Sequence, residues 1–286
     1  EGRIYPFVND LIELAIREDI GDGDHSSLAC IPHDERGRMK AARQAGRRPG
    51  RRRSRRNRAA PARSGSEIRK TARRRRARPT GRHRLYVEGR LISLLQAERI
   101  LLNIMQRMSG VATQTAVYVQ ELDGLKTQVI DTRKTTPGMR VLDKMAVRIG
   151  GGGNHRIGLF DMVILKDNHI DFAGGITPAI RKTQAYLKEK GKNIPIEVEV
   201  RSLDDIREVL SVGGVDRIML DNFSPETTRE AVALIGGRYE TESSGGITLK
   251  NLREYAECGV DFISVGALTH QIKSLDLSLK ACKAGE

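Results

Sequence analysis

The chain has 286 residues, 38% of them hydrophobic, with a mean hydropathy of −0.43. That length supports one or two domains with a core that needs no disulfides or metal. No run approaches the roughly 20 apolar residues of a membrane span. The first residues (EGRIYPFVNDLIELAIRED) lack the basic-then-apolar layout of a signal peptide. Cys30, Cys258 and Cys282 are odd in number, far apart and without a CxxC pair. They suggest neither a disulfide framework nor a zinc site, and a reducing cytosolic compartment is expected.

A net charge of +14 invites a nucleic-acid reading. The charge, however, is confined. Between 41 and 84 lie 19 of the 50 Lys and Arg residues against one acid, Glu67, so the rest of the chain is mildly acidic.

In chain order, residues 4–18 place Phe7, Leu11, Leu14 and Ile16 near helical spacing, and DIGDGDHSS follows as an acidic, glycine-punctuated turn. The segment 41–84 holds one large apolar side chain, Ile68, and is mostly Ala, Gly, Pro, Arg and Ser, so it cannot supply a core. Three readings stand: a basic arm for nucleic acid, a solvated linker, or an out-of-frame translation of GC-rich triplets. From Leu91 to Met108 the chain is a strong helix former, apolar round most of its circumference. Gln96, Arg99, Asn103 and Gln106 or Arg107 make one polar stripe that faces water or a partner, or pairs with a carboxylate such as Glu98.

From 127 onward, β-rich runs at 127–131, 161–165, 194–200, 216–220, 238–242 and 261–265 alternate with helical patterns. The helices are expected near 141–149, 177–190, 203–211, 225–235 and 248–257. Such strand-helix units predict an α/β fold with parallel strands, closed as a barrel or stacked as a doubly wound sheet. The reactive residues fall at the carboxyl ends of the strands: Arg133 and Lys134, then Lys166 and Asn168, Glu199, Asp221 and Asn222, Ser243 through Gly246, and Gly266 with His270 beyond. Barrel enzymes build their sites from those βα loops, although each residue alone could be a cap or turn residue.

Arg133, Lys134, His155, Arg156 and Lys166 put cations at one mouth, which calls for a ligand with several negative charges. Glu199 and Asp221 bring two carboxylates there. They fit a hard divalent ion such as Mg²⁺ carried on a phosphate-bearing substrate, or salt bridges to the same cations. SSGGIT, just before a helix expected near Thr248, has the makings of a phosphate cradle, and VGALTH offers a second turn. GGGGNHR reads as a hinge or as a backbone anion nest, and it is not a P-loop. Lys166 could form a Schiff base or act as an anion clamp.

At DTRKTTPGMR, GGGGNHRIGLFD, ILKDNHI, EVEV, LDNF, ESSGGI and DFISVGALTH the chain resembles the quinolinate phosphoribosyltransferases, interrupted only at about 41–85. The resemblance implies an α/β fold in which an open or irregular (β/α) barrel of about seven parallel strands, 116–271, follows an N-terminal α+β sandwich domain of 1–115 joined by 272–286. It implies phosphoribosyl transfer from phosphoribosyl pyrophosphate to quinolinate with decarboxylation, giving nicotinate mononucleotide, pyrophosphate and CO₂ in NAD biosynthesis, with Mg²⁺.

Carried over residue by residue, it gives Arg133, His155, Arg156 and Lys166 to the two quinolinate carboxylates, with Arg99 reaching in from the second subunit of a homodimer. Lys134 and Lys166 would hold the pyrophosphate, Glu199 and Asp221 the ribose hydroxyls and the metal, and Ser244, Gly245, Gly246, Gly266 and His270 the phosphate end. Lys134, Lys166, Glu199 and Asp221 form the implied catalytic set. No nucleic acid or membrane partner is implied. Because the family has a stretch of similar length where 41–84 stands, the resemblance favours a compensated pair of frame changes. Two rivals remain: a related phosphoribosyltransferase for another pyridine or pyrimidine carboxylate, or a family member of another substrate, which would need fewer cations, and a nucleic-acid binder using the Arg run, with steeply salt-dependent affinity.

Overall fold

A strand such as IEVEV sorts its side chains by simple alternation. Ile196, Val198 and Val200 join the main apolar core, while Glu197 and Glu199 turn to the opposite face of the sheet. In the computed structural model, which describes residues 5–43 and 85–282, this pattern recurs along the second half of the chain.

The elements run in the order α1 (Tyr5–Ile20), α2 (His25–Cys30), β1 (Arg36–Arg43), β2 (Tyr86–Arg90), α3 (Leu91–Glu121), β3 (Gln128–Ile130), α4 (Arg140–Ile149), β4 (Val163–Leu165), α5 (Asp167–Ala173) and α6 (Ile176–Glu189). There follow β5 (Ile196–Val200), α7 (Leu203–Val212), β6 (Arg217–Asp221), α8 (Pro225–Ile235), β7 (Glu240–Ser244), α9 (Leu252–Ala256), β8 (Phe262–Ser264), α10 (Ala267–His270) and β9 (Leu277–Ala281).

The chain divides into two units. The larger comprises Asn103–Leu275 and the segment ending at Asp22. Its parallel sheet has the order β3-β8-β7-β6-β5-β4. Its core includes Ile180, Ile206, Ile218, Leu220, Ile235, Leu252, Ile263 and Leu268. Ser202 and Ser224 cap α7 and α8 by accepting from the backbone N–H three residues on. The smaller unit, Gly23–Leu102 with the stretch from Asp276, holds the antiparallel sheet β2-β1-β9 around Met39, Leu102 and Leu279.

The α/β architecture and all six expected strands of the second half are present. Among the described residues the sheet is open and has six strands rather than about seven. The place beside β3 is taken by a single parallel bridge from Gly153 to Ile130. The glycines before it are neither hinge nor anion nest. Their N–H groups are spent on Ala146, Arg148, Val147 and Val129 carbonyls. A Cβ on Gly152 would come within 2.8 Å of Thr115, and one on Gly153 within 2.8 Å of Ile130, so the run is bare for close packing.

The expected domain divide at 115/116 falls inside α3, which changes unit between Leu102 and Asn103. The N-terminal α1 sits with the parallel sheet, because it packs on α4 and Leu11 lies against Gly138. Its expected apolar stripe is mostly uncovered: Phe7, Leu14 and Ile16 are exposed, and Leu11 alone is half-buried. DIGDGDHSS, expected as a turn, runs into the short helix α2, with Asp24 accepting from Ser27 N. The Arg-rich segment read as anomalous from 41 begins within β1, whose Ala41 packs on the small core. The readings of 44–84 lie outside the described residues.

Candidate active site

The β3 strand delivers Asp131 at its carboxyl end, fully buried. Its carboxylate accepts from Lys144 Nζ, from Asn154 Nδ2 at 2.6 Å and from His155 N at 2.9 Å. Lys144 Nζ also donates to the His155 carbonyl at 3.0 Å. Burial raises the Asp131 pKa and lowers that of Lys144, and each group opposes the other's shift. Two residues beyond Asp131, Arg133 stands exposed. Arg156 donates Nη1 to the Met162 carbonyl at 3.0 Å, while its Nε is buried without a hydrogen-bond partner. Burial, and then the like charge of Arg133, holds the Arg156 pKa below its ordinary value. Two guanidinium groups therefore face one region, and the Nε of Arg156 lacks an acceptor there.

The next two strands supply the acids. Glu199, nearly buried in β5, accepts from Lys166 Nζ at 2.8 Å, and Lys166 follows β4 directly. Asp221 ends β6 and accepts from Asn222 Nδ2 at 2.8 Å. Its pKa is raised by burial and then by the Glu199 charge. A pair of carboxylates that repel each other beside a single lysine has the chemistry of a hard divalent cation's donor set.

The glycine turns close the far side. Asn222 adopts a φ of 56° and donates its N–H to the Ser244 carbonyl at 2.9 Å. A Cβ on Gly245, where φ is 92°, would meet Asn222 Oδ1 at 2.2 Å. Only glycine fits there. The expected helix near Thr248 starts later, at Leu252, because Asn251 Oδ1 captures Thr248 N at 2.7 Å and holds 248–251 as a turn. Beyond β8, a Cβ on Gly266 would lie 3.0 Å from both His270 Nε2 and Lys134 Cδ, so these two side chains converge over it. Thr269 Oγ1 donates to the Lys134 carbonyl at 2.9 Å, and Arg107 links the Thr269 carbonyl to Asp143.

Beneath the mouth lies a buried charged layer. His155 Nε2 is 3.0 Å from Glu197 and 3.3 Å from Glu242, and Arg217 Nη1 is 3.2 Å from Glu242. The histidine contacts are charge contacts rather than aligned hydrogen bonds, since Nε2 and both Glu197 oxygens have no hydrogen-bond partner. Burial pulls the His155 pKa down, but Glu197 and Glu242 outweigh it and hold the ring up to about 9. A ring charged in this way cannot accept the Arg156 N–H that sits 2.7 Å from Nδ1, and the pull of two carboxylates is the larger effect. The ligand atoms of His155, Glu197 and Glu242 lie within 4.8 Å of one another, a spacing a metal could use, but Arg217 and the charged ring already balance the acids.

The parallel sheet thus carries Arg133, Lys134, Arg156, Lys166, Glu199, Asp221, Ser244, Gly245, Gly246, Gly266 and His270 at the carboxyl ends of its strands. Buried His155 faces inward to Glu197 and Glu242. Arg99 is exposed on α3 in the smaller unit. Sequence reasoning passed over Asp131, Lys144, Asn154, Glu197, Arg217 and Glu242. A lysine on the apolar side of α4, between Leu142 and Ala146, and the alternating acids of EVEV were the available signals.

The parallel α/β sheet gathers cations, paired acids and bare glycine turns at one edge, a chemistry suited to phosphate-bearing polyanions. The pattern of the quinolinate phosphoribosyl transferase C-terminal domain matches residues 111–280, and the chain belongs to that family. The chloroplastic carboxylating nicotinate-nucleotide pyrophosphorylase of Arabidopsis thaliana is 47% identical over 208 residues, which cover 68% of this chain and 59% of that protein. A probable carboxylating nicotinate-nucleotide pyrophosphorylase of Bacillus subtilis is 44% identical over 70% of this chain and 68% of its own. The solved nicotinate-nucleotide pyrophosphorylase of Francisella tularensis superposes with a TM-score of 0.77 at 34% identity, covering 97% of this chain and 96% of that one. NadC of Streptococcus pyogenes gives 0.76 at 34%, covering 96% and 97%.

Proposed function

We propose that the protein transfers the phosphoribosyl group of phosphoribosyl pyrophosphate to quinolinate and releases CO₂, yielding nicotinate mononucleotide and pyrophosphate for NAD synthesis. The observation that carries this reading is the pair Arg133 and Arg156 at one mouth, the second with an unpaired Nε. Two guanidinium groups facing one region suit two adjacent carboxylates. Lys166 adds a third positive charge, and the inward-facing His155 supports the clamp from beneath with its charge.

Glu199 and Asp221 would hold Mg²⁺ and the ribose hydroxyls. Mg²⁺ would supply charge neutralisation for the departing pyrophosphate. The chain's own residues do the rest by position and charge. Lys134 and Lys166 steady the pyrophosphate oxygens. Glu199 and Asp221 face the anomeric carbon as it gains positive character. Ser244, Gly245, Gly246, Gly266 and His270 hold the phosphate end, and the Gly245 and Gly246 N–H groups have no acceptor among the described residues. Once the pyridine nitrogen is quaternary, loss of the adjacent carboxylate as CO₂ leaves its electron pair on the ring carbon beside that positive charge, where it takes up a proton from solvent, so no further electron sink is needed.

We further read the working form as a homodimer in which Arg99 of one protomer completes its neighbour's clamp. Three free thiols suit a reducing cytoplasm, and among the described residues no helix is long and apolar enough to cross a membrane. The test is turnover of quinolinate and phosphoribosyl pyrophosphate with Mg²⁺, followed as nicotinate mononucleotide. Product that disappears when nicotinate replaces quinolinate is expected. Absence of product from folded protein would overturn the reading.

A further inference from the structure

The two guanidinium limbs of the mouth lie on different stretches of chain, 131–134 and 154–157, which share no continuous secondary structure. A single buried carboxylate joins them. Asp131 Oδ1 receives Lys144 Nζ and the His155 N–H, while Oδ2 receives Asn154 Nδ2. Lys144 Nζ reaches on to the His155 carbonyl at 3.0 Å, so both the N–H and the C=O of that residue are pinned. Asn154 Nδ2 returns to the Lys144 carbonyl at 2.9 Å and ties the same loop to α4. Asp131 and Lys144 are almost wholly enclosed. The backbone on the N-terminal side of Arg156 thus has little freedom to drift relative to Arg133.

We infer that Asp131, with Lys144 and Asn154, is a positioning group that sets the separation of Arg133 and Arg156 and thereby selects a ligand with two adjacent carboxylates. None of the three needs to touch the ligand. A site that binds a rigid dicarboxylate gains from both limbs only when their spacing is right, and a displacement of about 1 Å can cost on the order of 100-fold. The Lys134, Gly266 and His270 side hangs from other bonds, through Thr269 and Arg107, so disturbing Asp131 should spare the phosphate end. The inference rests on the dicarboxylate reading above.

The test uses the full chain and two variants, the mild Asn154→Ala and the harsher Asp131→Asn, which removes the counter-charge of buried Lys144. Asn154 is half-buried, and its removal leaves the Asp131–Lys144 pair in place. In Asp131→Asn the shape is kept, but an amide NH₂ is set against one of the groups that donate to the carboxylate. Quinolinate binding is measured by calorimetry, KM is measured for both substrates, and thermal unfolding verifies the fold. For Asn154→Ala the expected result is quinolinate affinity weakened about ten-fold or more, with the KM for phosphoribosyl pyrophosphate within about two-fold of wild type. A variant that folds and binds quinolinate as wild type does, or that loses both substrates in equal proportion, would overturn the positioning role. Wild-type protein that binds no quinolinate would overturn the dicarboxylate reading, and this inference with it.

Discussion

Gly245 carries two constraints at once: a backbone φ of 92° and an Asn222 Oδ1 that leaves a Cβ only 2.2 Å. Gly245→Ala should therefore push Asn222 aside and break the turn after β7. The expected outcome is a KM for phosphoribosyl pyrophosphate raised about ten-fold or more, with quinolinate binding by calorimetry little changed. His155 makes a different prediction. Its folded pKa of about 9 lies above its ordinary 6.5, so the stability it contributes is complete below pH 6.5 and is lost as pH rises through 9. The groups facing it are Glu197 of β5 and Glu242 of β7, with Arg217 of β6 behind Glu242. Thermal midpoints between pH 6 and 10 should fall more steeply in wild type than in His155→Gln, and equal slopes would contradict this account.

Elements were more legible than the contacts between them. β-rich runs bounded by turn residues marked all six parallel strands, even β7, whose buried Thr241, Glu242 and Ser243 include no apolar side chain. The antiparallel β1, β2 and β9 carried no such signal: RGRMKAAR alternates weakly, and its partner β9 lies far along the chain. The cationic ends Arg133, Lys134 and Lys166 could be read directly, since they follow strands in sequence. Asp131 with Lys144, and His155 with Glu197 and Glu242, could not, because no spacing rule ties a strand end to a helix interior or to a loop. In α4 the buried Lys144 is tolerated only through Asp131. Lys144→Met leaves that carboxylate buried and unpaired, and denaturant unfolding should show a loss of about 3–5 kcal/mol. Ser224→Ala, which deletes only the N-cap of α8, should cost about 1 kcal/mol.

The described residues form two cores of very different size, the large one under the parallel sheet and a small one of Met39, Leu102 and Leu279. Damage to the small core should leave the large one standing. Leu279→Ala is expected to cost the smaller unit about 2–5 kcal/mol and to split thermal unfolding into two transitions. The middle strand of that unit's sheet, β1, is flanked by β2 and β9, and β9 is translated roughly 230 residues after β1. At typical elongation rates of about 5–20 residues per second, one edge of β1 waits on the order of 10–50 s for its neighbour. Throughout that interval the nascent chain presents an open row of N–H and C=O groups while the parallel sheet is already being assembled, so the smaller unit is the part open to edge-to-edge pairing with another chain during synthesis.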